Sequence, residues 1–189
     1  MSVVANSPAS WDERAAAPSS WEAGLQSERG QTLRFRAVLS HLQLHDGDTV
    51  LDFGSGAGRL AAWMPYGVEY YAHDWAPALL DRAVREQPNA VRVDEIPDML
   101  FDHVVAVGPF NLSDGWSRPR TWETLAELFM ERTRKTLVVS LLRWRRGLAA
   151  GVLGYDNAEL LRFATDMGVT RFAIDATYLD NDILLALHR

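Results

Sequence analysis

Two aspartates and three glycines carry the clearest chemistry in this sequence. Asp52 lies near the end of the apolar run "TVLDF", and Gly54, Gly56 and Gly58 follow at alternate positions. Glycines at such a place let the backbone approach a ligand closely and turn N–H groups toward its polar end. Asp74 comes 20 residues after Gly54, closing a second apolar run, "VEYYAHD". At that distance a carboxylate accepts both hydroxyls of a ribose. Asp52 gains nothing beside a pyrophosphate, whereas a cationic ligand would be drawn to it. The pair predicts a ligand with a ribose and a positive centre. The plainer roles are a charge at a helix start for Asp52 and a turn acid for Asp74.

Other nucleotide motifs fit less well. A dinucleotide fingerprint places glycines at the first, third and sixth positions, but the sixth here is Arg59, too bulky where helix and strand pack closely. No Lys-Ser or Lys-Thr follows the turn, which removes a phosphate-cradling loop. With no cysteine and five scattered histidines, the sequence offers no disulfide, thiolate nucleophile or recognisable metal site. A net charge of −6 disfavours a protein whose main task is gripping phosphate backbones, because that affinity comes from basic residues.

The elements that must position these residues alternate. Residues 1–20, rich in Ala, Ser and Pro, read as a mobile arm, and 21–44 as an amphipathic helical cap with Leu33, Val38, Leu39 and Leu42 at helical intervals. Strands are predicted at 49–53, 68–73, 90–93, 101–107, 136–142, 169–174 and 183–187. Helices are predicted at 57–64, 76–86, 121–132 and 157–167. Such alternation implies one α/β domain over 21–189, a mostly parallel sheet with helices on both faces and a ligand at the C-terminal strand ends. No apolar run approaches the roughly 20 residues of a membrane helix, and the N-terminus lacks the charged and apolar regions of a secretion signal. The expectation is a cytoplasmic protein with no membrane partner.

"VLDFGSGAGRL", "YYAHDWAPALLDRA" and "FDHVVAVGPFN", in this order, resemble the successive motifs of class I S-adenosylmethionine-dependent methyltransferases. The resemblance spans roughly residues 21 to 189. It implies the family's Rossmann-like seven-stranded sheet, with an antiparallel last strand inserted beside the sixth, and S-adenosyl-L-methionine as cofactor. Carried over residue by residue, it implies that Gly54, Ser55, Gly56 and Gly58 pass beneath the methionine part and that Asp52 orients the amino end. Asp74 would hold the ribose, Trp75 would lie against adenine, Asp94 would sit near the adenine amino group, and Gly108 would line the sulfonium side. "QTLRF" resembles a stretch found ahead of the first motif in some small members, which makes Arg34 a candidate for the methionine carboxylate. "GPFN" at 108–111 stands where amino-methylating DNA and protein-glutamine enzymes carry an acidic or amide residue before Pro-Pro-aromatic, and so speaks against those substrates.

Methyl transfer from a sulfonium relies mainly on positioning, and a base is needed only for a poor, protonated nucleophile. No catalytic residue is assigned. Asp114 is either a base or part of a Ser-Asp-Gly turn. Trp116 and Tyr155 are candidates for the floor of an acceptor pocket, while His73 and His103 read as structural. Arg143, Trp144, Arg145 and Arg146 form the one basic-aromatic cluster, suited to an anionic substrate or to RNA, or simply to solvent. The acidity of the chain favours a small-molecule acceptor. An RNA or peptide methyltransferase and a non-catalytic cofactor-binding or partner-binding protein are the alternatives.

Overall fold

The computed structural model describes residues 8–16, 27–113 and 116–189. Seven strands, β1 (Thr49–Phe53), β2 (Glu69–His73), β3 (Ala90–Val93), β4 (Phe101–Val107), β5 (Thr133–Leu142), β6 (Arg171–Asp175) and β7 (Asp182–His188), form one sheet in the order β3-β2-β1-β4-β5-β7-β6. The first five are parallel, and β7 runs antiparallel to both β5 and β6. The order reverses beside β1, the switch point where a parallel sheet leaves a crevice at its C-terminal edge.

Alternation of side chains divides the core in two. Leu51, Val104, Ala106, Leu137 and Leu185 face helices α4 (Arg118–Glu127) and α5 (Asn157–Asp166), while Val50, Tyr70, Val105, Val138 and Leu184 face α2 (Glu28–Ser40) and α3 (Pro77–Glu86). Strand β4 is buried from Phe101 through Ala106, as its unbroken apolar run predicts. Helix α5 opens with a capping box in which Asp156 accepts from the Glu159 amide and Glu159 returns the bond.

The structure departs from the expected elements in several places. In place of a helix over 57–64 there is a five-residue 3-10 turn, Arg59–Trp63. Left-handed Gly58 blocks it on one side, and Met64, extended because it precedes Pro65, ends it on the other. The cap helix occupies Glu28–Ser40, and residues 21–26 lie outside the described residues. The helix expected over 121–132 starts at Arg118 and ends in a π turn, Leu128–Arg132, where Arg189 donates to the carbonyls of Phe129 and Met130. Within the stretch read as a mobile arm, Pro8–Arg14 forms a short helix, α1. Trp11 and Ala15 pack on Ala76 and Leu79, and Asp12 accepts the Ala78 amide at 2.9 Å.

Candidate functional site

A cavity of about 540 Å³ opens at the C-terminal ends of β1, β2, β4 and β5, a size usual for small-ligand sites. The glycine turn forms its floor. Gly54 and Ser55 both donate to the His73 carbonyl, at 2.8 and 3.0 Å, which fastens the turn to β2. The three glycines have three different duties. At Gly54, with φ +77°, an added Cβ would stand 2.6 Å from that of Pro109, so glycine permits this close approach. At Gly56, with φ +55°, a Cβ would meet nothing within 4 Å; this residue borders the cavity, and its left-handed backbone is what calls for glycine. Gly58 corrects the expectation placed on it, because it lies outside the cavity lining. It packs against α3, with 2.8 Å from the position of its absent Cβ to that of Ala83. The close helix contact that a dinucleotide fold assigns to its last glycine therefore falls on Gly58.

Asp74 is fixed by two backbone bonds: Gly56 N–H donates to Oδ2 at 2.9 Å and Ala76 N–H to Oδ1 at 3.0 Å. Burial raises its pKa against the opposing pull of those amides. It lines the cavity where β2 passes into α3, beside the half-exposed Trp75.

Asp52 is 2% exposed, and the Tyr70 hydroxyl donates to its Oδ2. Its Oδ1 is buried with no hydrogen-bond partner. Burial, reinforced by the negative charge of Asp74, outweighs the Tyr70 hydrogen bond and pushes its pKa up to about 7. An unmet buried carboxylate oxygen is costly in isolation and suits a site completed by a cation. Ser55 Oγ, in the same lining, is also buried without a partner.

Arg34 reaches the cavity from α2, with its Nε donating to Asp182 Oδ2 at 2.5 Å. This bond joins α2 to the start of β7 and orients the guanidinium. Gly108, left-handed at φ +84°, borders the cavity and donates to the Ser140 carbonyl. Asp94 is not brought to the site. Its carboxylate, 64% exposed and outside the lining, is bridged by Arg92 at 2.6 Å. Two residues apart at the end of β3, these side chains reach one another before either reaches a ligand.

Of the acceptor candidates, Trp116 lines the cavity, packing edge-on against Phe110 with ring centroids 4.6 Å apart. The Arg120 guanidinium lies 5.0 Å above its ring. Tyr155 is a core residue instead: fully buried, it donates to the Phe110 carbonyl at 2.9 Å and meets Thr121. Arg143, Trp144, Arg145 and Arg146 are exposed and outside the cavity. Asp114 lies outside the described residues. His73 borders the cavity with Nδ1 3.0 Å from the Val93 carbonyl, and His103 is buried against Asp48. The structure adds Trp11, Gln31, Asn111 and Asn181 to the lining; they come from four distant segments and share no motif. Among the described residues no group of three or more His, Asp or Glu is placed to hold a metal, and no helix is long and apolar enough to cross a membrane.

No family model matches the sequence, and no curated protein matches it. Solved structures do match in shape. A chain of a Haloferax volcanii complex that contains the Trm112 methyltransferase activator superposes with a TM-score of 0.70 at 18% identity, over 94% of this chain and 96% of that one. A TehB-like SAM-dependent methyltransferase from Corynebacterium glutamicum gives 0.64 at 18%, over 96% and 98%. DhpI in its complex with SAM and HEP gives 0.68 at 16%, over 100% and 99%. At these identities the likeness defines the fold, and the fold is the Rossmann-like one of the class I S-adenosylmethionine-dependent methyltransferases.

Proposed function

We propose that the protein is an S-adenosylmethionine-dependent methyltransferase acting on a small-molecule acceptor. The observation that carries this reading is the unpartnered Oδ1 of buried Asp52 beside the glycine turn, in a cavity whose lining also contains Asp74. Asp52 would take the amino group of the cofactor, Arg34 its carboxylate and Asp74 the ribose hydroxyls. Trp75 would cover adenine. The backbone of Gly54 to Gly56 would run beneath the methionine portion, with Gly108 on the sulfonium side. When bound, S-adenosylmethionine supplies a methyl carbon already activated by its sulfonium charge.

The chain's own contribution is placement and exclusion of water. Phe53 and Trp116, which line the cavity and pack on the fully buried Phe110 behind them, offer an apolar boundary for an acceptor. A small molecule is favoured because the exposed Arg143 to Arg146 cluster is not part of the cavity lining and the chain is acidic. The test is transfer of labelled methyl from S-adenosylmethionine to a cell extract separated by size, using wild type and Asp52→Ala. Label in the low-mass fraction that disappears in the variant supports the reading. Label only in RNA or protein overturns the acceptor class, and no incorporation despite cofactor binding favours a non-catalytic cofactor-binding protein.

A further inference from the structure

Helix α1 is held to the body by three kinds of contact. Trp11 and Ala15 pack on Ala76 and Leu79 of the β2–α3 corner. Asp12 Oδ1 accepts from the Ala78 amide, one of the first amides of α3. That helix start has no side-chain cap of its own, since residue 76 is alanine, so Asp12 provides from a distant segment what a local Asp or Ser would otherwise supply. Arg82 Nη1 donates to the Ala15 carbonyl at 3.0 Å. The docking is therefore directional and fixes which face of α1 meets the cavity.

That face presents Trp11, which lines the cavity together with Asp74, Trp75 and Leu79. Trp11 packs on the cluster of Ala76 and Leu79, two and five residues after Asp74, so it stands at the Asp74 end of the cavity. In the reading above, that end receives the nucleoside. An indole there, in a lining that also holds the Trp75 indole and Leu79, matches a flat, apolar-faced heterocycle, because aromatic faces gain by stacking and by shedding water.

Resting on the methyltransferase reading, we infer that α1 is a strap that closes the nucleoside end of the cavity, with Trp11 as its contact to the purine of the bound cofactor. The purine would then add to the surface that Trp11 already packs on at Ala76 and Leu79. Ligand binding and docking of the strap then reinforce each other by the same factor. The strap makes residues outside the recognisable motifs part of the cofactor site.

Calorimetry with S-adenosylhomocysteine and with adenosine on the full chain tests this. Trp11→Ala should weaken both ligands by the same factor, about tenfold, whereas Trp11→Phe should stay within about threefold of wild type. Asp52→Ala should weaken S-adenosylhomocysteine and leave adenosine nearly unchanged, which separates the two ends of the site. Thermal unfolding of each variant reports any loss of fold. Amide hydrogen exchange in α1 should slow when S-adenosylhomocysteine is added to wild type and not when it is added to Trp11→Ala. If wild type binds S-adenosylhomocysteine and Trp11→Ala binds both ligands equally well, the strap is refuted and the methyltransferase reading survives. If wild type binds neither ligand, both fall.

Discussion

Buried carboxylates stand at both ends of the sheet, and their surroundings are opposite. At the N-terminal ends of the strands, Asp102 accepts from the Thr49 amide and hydroxyl, each at 3.1 Å, and from Arg134 and Lys135, each at 3.2 Å. Burial alone would raise its pKa, but the Thr49 and Lys135 hydrogen bonds and the Lys135 charge overcome this and hold it at about 2. Neighbouring Asp48 accepts from Lys135 at 2.5 Å and from the His45 amide. At the C-terminal ends, Asp52 has one phenolic donor and an empty oxygen, and its pKa is about 7. The saturated acids are structural joints. Asp52, which lines the cavity, is in the proposed function completed by the amino group of the cofactor.

The contrast predicts opposite responses to the same substitution. The largest effect is expected for Asp52→Asn on ligand affinity: loss of a buried charge that pairs with a cation costs at least about 2 kcal/mol, so S-adenosylhomocysteine should bind 30-fold to 100-fold more weakly (roughly, at 1.4 kcal/mol per decade). Isothermal calorimetry measures it. Next comes Asp102→Asn, expected to lower folding stability by about 2 kcal/mol at pH 7 in chemical denaturation while leaving that affinity unchanged. If Asp102→Asn instead cost affinity and Asp52→Asn only stability, the two ends would have been assigned the wrong way round.

Titration sharpens the comparison. Asp102 has a folded pKa below its ordinary 3.8, so its contribution is full above about 4 and is lost as pH falls through about 2. Asp52 has a folded pKa above its ordinary 3.8. The folded state then holds a proton the unfolded state has released, and stability declines as pH rises from about 4 to about 7. Melting curves at pH 5 and pH 8 should therefore shift in favour of Asp52→Asn over wild type at the higher pH. The smallest effect belongs to Asp94→Asn at the exposed Arg92 pair, where solvent screening should leave the melting temperature within error of wild type, with no measurable change in cofactor affinity.

Much of this site was legible because its residues lie in short, ordered motifs. Asp52, Gly54, Gly56, Asp74 and Gly108 sit at strand ends, where backbone geometry fixes their position, and all border the cavity. Legibility failed where a neighbour in space decides. Tyr155 has the aromatic character of a pocket floor, yet Thr121 and the Phe110 carbonyl take its hydroxyl inside the core. The Arg92–Asp94 pairing was within reach of sequence, since residues two apart on a strand share a face. So was the short 3-10 turn, because Pro65 forbids a helical Met64. Trp11 carried no periodicity, and its place depends on contacts to residues more than sixty positions away. The rest of the lining comes from separate segments, Gln31 of α2, Asn111 and Trp116 after β4, and Leu179 and Asn181 between β6 and β7, which no single motif spans.

The most direct test of the central claim is the pH dependence of S-adenosylhomocysteine binding, measured by calorimetry from pH 6 to pH 8 on wild type and Asp52→Asn. The cationic amino group should pair with ionised Asp52. Wild-type affinity should therefore rise by up to about tenfold per pH unit below pH 7 and level off above it, while Asp52→Asn stays weak and flat. Wild-type affinity that is independent of pH, or equal in the two proteins, would contradict the assignment of Asp52 as the cofactor's anchor.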